Sequence, residues 1–251
     1  MKKRIYVFLT LILALTLAAC GVMEPMDGPG MVREPDLTAR IIEDDGAGLL
    51  LAGLNEPYSD VYTVSKEALA DAGACLEELR PGEVLVLDFD GSVEETWPAR
   101  LGSVSGVAVL EDGRDRLYQL YLDALEDLWE KDPALRDGIS QIGFDLASTR
   151  LAPSEQAAAA LIFARDHGDL TPVFGAWQEL ADRGLIDGEN LVWDDGVLLS
   201  VKEKNDEPGE VLFDAELWRG GLGAYVFCGC KSQKLLGGDW EPYTVGSEAV
   251  A

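Results

Sequence analysis

The chain has 251 residues, 47% of them hydrophobic, with 46 acidic and 20 basic side chains and a formal net charge of −26. That apolar content supplies a sizeable core for one large or two small domains. The acidic residues are scattered and not massed in a tail, so they read as solvated surface, and a surface of that sign repels phosphate backbones and excludes nucleic acid as a partner.

The first element in chain order is a targeting segment. Lys2, Lys3 and Arg4 precede an apolar run from Ile5 to Ala19 that is too short for a stable membrane span, so residues 1–19 read as a secretory signal peptide. The run closes on Leu17-Ala18-Ala19-Cys20 followed by Gly21, which resembles the lipobox of bacterial lipoproteins. That resemblance implies a diacylglycerol on the Cys20 sulfur. It makes the chain an extracytoplasmic lipoprotein of the cell envelope, membrane-anchored through lipid, since two acyl chains hold a soluble domain where one is marginal. Removing the three basic residues of the signal leaves 17 bases against 46 acids, a net −29. Residues 20–36, rich in Gly, Pro and Met without periodicity, read as a flexible tether.

Residues 37–112 are β-rich. "LTARIIEDDGAGLLLAG" gives two apolar runs divided by Asp45-Gly46, and "SDVYTVSKE" a third strand. "KEALADAGACLEEL" spaces Leu69, Cys75, Leu76 and Leu79 as on a short helix. After Pro81-Gly82 come "EVLVLDFDGSVEETWPARL" and the strand "VSGVAVLED". Short strands with one interposed helix predict a small barrel.

The stretch ending in Asp88-Phe89-Asp90-Gly91 admits two readings. In a magnesium-dependent phosphatase of the haloacid-dehalogenase type, Asp88 would attack phosphorus, Asp90 would move the proton, and a late acidic pair would hold the metal. The only late pair is Asp194-Asp195, where Asp195-Gly196 between two apolar runs reads better as a hairpin turn. Asp-Gly occurs seven times in the chain, so the dipeptide serves as punctuation, and Asp90-Gly91 is expected to be a turn. Gly82, Phe89, Asp90, Gly91, Glu95, Pro98 and Ala99, with Trp97 for a tyrosine and Leu101 for an isoleucine, also resemble a signature of OB-like domains in Gram-positive lipoproteins. The resemblance implies an OB-like barrel with Asp90-Gly91 as a turn, and it brings no activity with it.

From residue 113 the pattern changes. "DRLYQLYLDALEDLWEKD" places Leu117, Leu120, Tyr121, Ala124, Leu125, Leu128 and Trp129 on one helical face. "GISQIGFDLAST" reads as a strand, "PSEQAAAALIFARDHG" as a helix stopped by Gly168, and a third helix is expected from about Pro172 to Arg183. The remainder reads as an antiparallel sheet, so residues 113–251 form an α+β domain after the OB-like β-barrel.

The remaining chemistry is sparse. His167, the one histidine, sits at a helix end, where a cation suits the dipole and a structural role fits. Cys228-Gly229-Cys230 lacks the spacing of a zinc half-site, and the count permits a bridge from Cys75 to either cysteine. No metal and no cofactor are expected. "WRGGLGAYVF" offers Trp218, Arg219 and Tyr225 as a candidate flat docking surface, or else a twisted core strand. The resulting expectation is non-catalytic binding or scaffolding at the envelope, of a protein, glycan or small ligand, with the phosphatase as alternative.

Overall fold

The computed structural model describes residues 36–168 and 170–250; the expected signal, Cys20 and all of the tether but Asp36 lie outside them. Sheet formation starts with β1 (Asp36–Asp44), in which Leu37, Ala39 and Ile41 turn to one face while Thr38 and Arg40 turn to the other. The predicted Asp45-Gly46 turn follows. Asp45 Oδ1 accepts from the N–H groups of Ala47 and Gly48, and Gly46 takes the positive φ of 89° that favours glycine.

The turn leads into β2 (Gly48–Gly53), then β3 (Val61–Ser65), β4 (Val84–Phe89), β5 (Val93–Glu94), β6 (Ala99–Leu101) and β7 (Val104–Val109), joined in the order β5-β6-β3-β2-β1-β4-β7. The chain is a mixed α/β, strand-rich protein, and these seven strands do not close into the expected barrel. Two-residue β5 and three-residue β6 are too short to ladder with β7. The bond from Asp90 N–H to Ser103 O only continues the β4–β7 ladder, and that from Gly102 N–H to Ser92 O only continues the β5–β6 ladder. Asp90-Gly91 is a turn, with Gly91 at φ 79°, although not of a hairpin. Because β4 pairs with β1 and β7 while β5 pairs with β6, the turn carries the chain from one end of the strand order to the other.

The predicted helix after β3 is brief. Ser65 caps α1 (Lys66–Asp71) by accepting from Ala68 N–H, and Gly73 at φ 88° ends it, so Cys75 falls in an exposed loop before the 3-10 turn Leu76–Glu78. Leu69 and Leu79 cover the Leu37–Ile41 face of the sheet and close a first core.

The described residues fall in one compact unit, and the expected boundary near residue 112 falls in the loop from β7 to α2 (Leu117–Trp129). All seven residues assigned to the apolar face of α2 are buried. Next come β8 (Gln141–Ser148), α3 (Pro153–Asp166), β9 (Thr171–Phe174), α4 (Trp177–Asp182), β10 (Gly196–Glu203), β11 (Glu210–Gly220), β12 (Gly223–Gln233) and β13 (Ser247–Val250). The second sheet runs β13-β12-β11-β10-β8-β9. It is mixed rather than antiparallel throughout: β8 runs parallel to both its neighbours, β10 and β9, and α3 makes β8 and β9 a βαβ unit.

The third predicted helix starts five residues late, since Thr171–Phe174 is a strand. Thr171 and Gly175 send their N–H groups to Ser140 and Phe144 of the β8 side. By alternation position 172 faces away from the sheet, where a proline forfeits no ladder bond, and this edge location makes Pro172 tolerable.

Helix α3 lies between the sheets and touches β1, β2 and β3 on one side and β8 and β9 on the other. Its alanine run explains the close fit: Ala158, Ala159, Ala160 and Ala164 are all buried, and a helix covered on both sides needs small residues all round. The second core, built on α2, α3 and the second sheet, therefore takes in Ile42, Leu50, Ala52 and Val61 of the first sheet. Strand β2 is consequently buried on both faces, which its unbroken "LLLA" run reflects. Polar contacts lock the junction. Arg40 Nε meets Glu155 Oε1 at 2.5 Å, Arg40 Nη1 donates to the carbonyls of Gly82 and Gly113, and Ser154 Oγ donates to Gly53 O at 2.6 Å.

Candidate functional site

Beyond the alanine run, α3 and the first sheet diverge and leave a groove of about 350 Å³. Leu50 and Thr63 of β2 and β3 form one wall, with Pro98 beside them. Leu161 and Ala164 of α3, with Leu170 and Pro172 at the start of β9, form the other. The lining is predominantly apolar, as in sites for small organic ligands.

The rim charges are mostly engaged. Arg165 donates from both terminal nitrogens to Glu43 at 2.8 Å each and from Nε to Asp166 at 2.9 Å, and these carboxylates hold its proton more tightly than usual. Outside the lining, Lys66 meets Asp44 at 2.7 Å and holds that carboxyl below the ordinary range. The Asp45 carboxyl is lowered by the turn N–H groups of Gly48 and Ala47. No family model, curated protein or solved structure matches the chain.

The residues singled out from sequence lie elsewhere and do not converge. Asp88 and Asp90 occupy exposed positions flanking buried Phe89, on a strand antiparallel to both its neighbours. Asp90 Oδ1 accepts from Ser92 N–H at 2.9 Å and Ser92 Oγ at 2.6 Å, and these bonds hold its carboxyl low, the reverse of what a proton donor needs. Asp194 and Asp195 belong to the second sheet's approach to β10. There the Asp195 carbonyl accepts from Ser140 and Gln141 and the Asp194 carbonyl from Arg219, so the segment joins β10 to its neighbours and is no hairpin. Among the described residues no group of three or more His, Cys, Asp or Glu side chains gathers to hold a metal ion, and no helix is long and apolar enough to cross a membrane.

Trp218, Arg219 and Tyr225 do not form one flat surface. Trp218 pairs with Ala224 and Leu217 with Tyr225, so Trp218 and Tyr225 point to opposite faces of the β11–β12 ladder. Trp218 packs edge-on against Trp177 at 5.9 Å, and Tyr225 bonds Glu248 with Lys131 over its ring. Arg219 is spent on the carbonyls of Leu135, Asp137 and Asp194 at 2.8–3.2 Å.

His167 has the expected structural role. Its Nδ1 lies 2.8 Å from Phe163 O and its Nε2 3.1 Å from Glu126, while the ring stacks on Phe163 and meets Trp129 edge-on. The described cysteines are free thiols, with Cys75 exposed and Cys230 buried in the second core. Burial, ahead of the nearby Asp214 charge, pushes the Cys230 thiol up to about 12. At pH 8 iodoacetamide is therefore expected to alkylate Cys75 promptly and to spare Cys230 until denaturant is added. Peptide mass spectrometry checks this, and early labelling of Cys230 would contradict its burial.

Proposed function

We propose that this chain is a non-catalytic binding protein, held at the extracytoplasmic membrane face by lipid on Cys20, which takes a small and largely apolar ligand into the groove between its sheets. The lipobox-like Leu17–Cys20 sequence supports the anchor. In the same reading the first sheet is an opened relative of the OB-like lipoprotein domains whose signature residues 82–101 resemble. The observation that carries the binding role is the apolar groove itself, bounded by Leu50, Pro98, Leu161 and Pro172, with Arg165 and Glu43 on its rim already paired with each other. Apolar surface left open to water favours a ligand that covers it, at about 25 cal/mol per Å².

Leu161→Trp tests this. Leu161 is partly exposed on the groove wall, so an indole there fills the space without entering the core. Residues 21–251 should bind a fluorescent apolar probe such as a naphthylamine with saturable stoichiometry near one. The variant should lose at least tenfold in affinity while its melting temperature stays within a few degrees. Equal binding by both proteins would place the ligand elsewhere.

A further inference from the structure

The groove has a second lobe. Asp45, Gly48 and Thr63 line both the apolar groove and an adjoining hollow of about 410 Å³ bounded by Ser65, Arg100 and Leu101. Thr63 and Arg100 are register partners across the parallel β3–β6 pair, so Arg100 stands at the boundary between the lobes. Of the two cations lining the lobes, Arg100 is paired less tightly than Arg165. Arg165 and Glu43 clasp each other at 2.8 Å, and both N–H bonds of the Asp45 turn fall on its carboxylate. Arg100 has only Glu94 at 3.9 Å, with both side chains about two-thirds exposed, which amounts to a solvated pair. Ser65 Oγ accepts from Ala68 N–H, leaving its hydroxyl proton for a donor role toward the same hollow.

Resting on the binding role proposed above, we infer that the ligand is a free single-chain amphiphile with one carboxylate, its chain in the apolar lobe and its head on Arg100. An apolar slot opening onto a cation and a hydroxyl donor complements a chain that ends in an acceptor-only head. A lobe of 350 Å³ suits one chain better than two. The head also needs a local cation on a surface this acidic, and Arg100 provides it where the long-range field would otherwise turn an anion away.

The test compares decanoate, decanol and decylammonium as competitors of the naphthylamine probe, below their micellar concentrations, on the wild-type chain and on Arg100→Gln. Decanoate should bind the wild type at least fivefold more tightly than decanol, and decylammonium no better than decanol. Arg100→Gln should erase the decanoate advantage and leave decanol unchanged. Equal affinities for decanoate and decanol, a preference for decylammonium, or a decanoate advantage that survives Arg100→Gln would overturn the carboxylate assignment while leaving the groove as a binding site. A dioctanoyl anionic phospholipid binding more tightly than decanoate would overturn the single chain. Failure of the probe and all three decyl compounds to bind the wild type would overturn the groove reading as well.

Discussion

Arg40→Ala is expected to lower the unfolding free energy by about 3–5 kcal/mol, the usual consequence of removing one partner from a buried ion pair. Arg40 and Glu155 have side-chain exposures of only 14% and 8%, and their closest atoms are 2.5 Å apart. Glu155 also accepts from Ala152 N–H through Oε2 and so caps α3. Alanine at position 40 leaves that buried carboxylate without its cation and deprives the carbonyls of Gly82 and Gly113 of a charged donor. Stability fails at the junction between the sheets, and the groove should weaken with it. Urea unfolding followed by tryptophan fluorescence measures the loss, and a change below about 1 kcal/mol would mean that water already solvates the pair. The double variant Arg40→Met with Glu155→Gln should recover more than half of the deficit, because it removes both charges and keeps an acceptor for the Ala152 N–H. No recovery would assign the effect to lost packing of the arginine stem.

The junction that matters most for this prediction is also the part the sequence conveys least. Helix α2 was legible because it is covered on one side only, and its apolar residues recur at helical spacing. Helix α3 is covered on both sides, so its alanine run marks burial without naming a partner. Arg40 and Glu155 lie 115 positions apart and Arg165 and Glu43 122 apart, distances at which local pattern carries no information. Turn chemistry fixed both the turn and the strands it joins at Asp45-Gly46, but at Asp90-Gly91 it fixed only the turn, since strand order depends on pairing across the whole sheet. Pro172 misled because proline opens helices and also sits on outward-facing edge positions, and only the sheet order tells the two apart. Trp218 and Tyr225 looked like neighbours in "WRGGLGAYVF", whereas the hairpin register sends them to opposite faces. No local pattern in the sequence marks the groove. Its walls come from four separate segments, and Leu161, Ala164 and Pro172 each resemble ordinary core or loop residues when read singly.

Phe163→Ala should bring a loss of comparable size, about 3–5 kcal/mol, by a different route. Phe163 has no exposed surface, and its ring meets Trp129 and Phe144 edge-on at 5.4 and 5.9 Å and His167 face-on at 4.2 Å. Truncation removes the transfer energy of the ring and leaves a cavity whose aromatic walls belong to α2 and β8, elements too well held to collapse into it. Phe163→Leu fills most of that space and should cost only about 1–2 kcal/mol. The ratio of the two losses separates a cavity effect from loss of aromatic contacts, because both variants abolish the ring pairs and only one leaves the void. Urea melts with unchanged m-values would place both effects in the native state. Phe163 also neighbours Ala164 in the groove wall, so a void behind that wall should blur the groove and weaken naphthylamine binding in Phe163→Ala more than in Phe163→Leu. Full probe affinity in a Phe163→Ala protein that remains folded would mean that the groove holds its shape without support from the core behind α3.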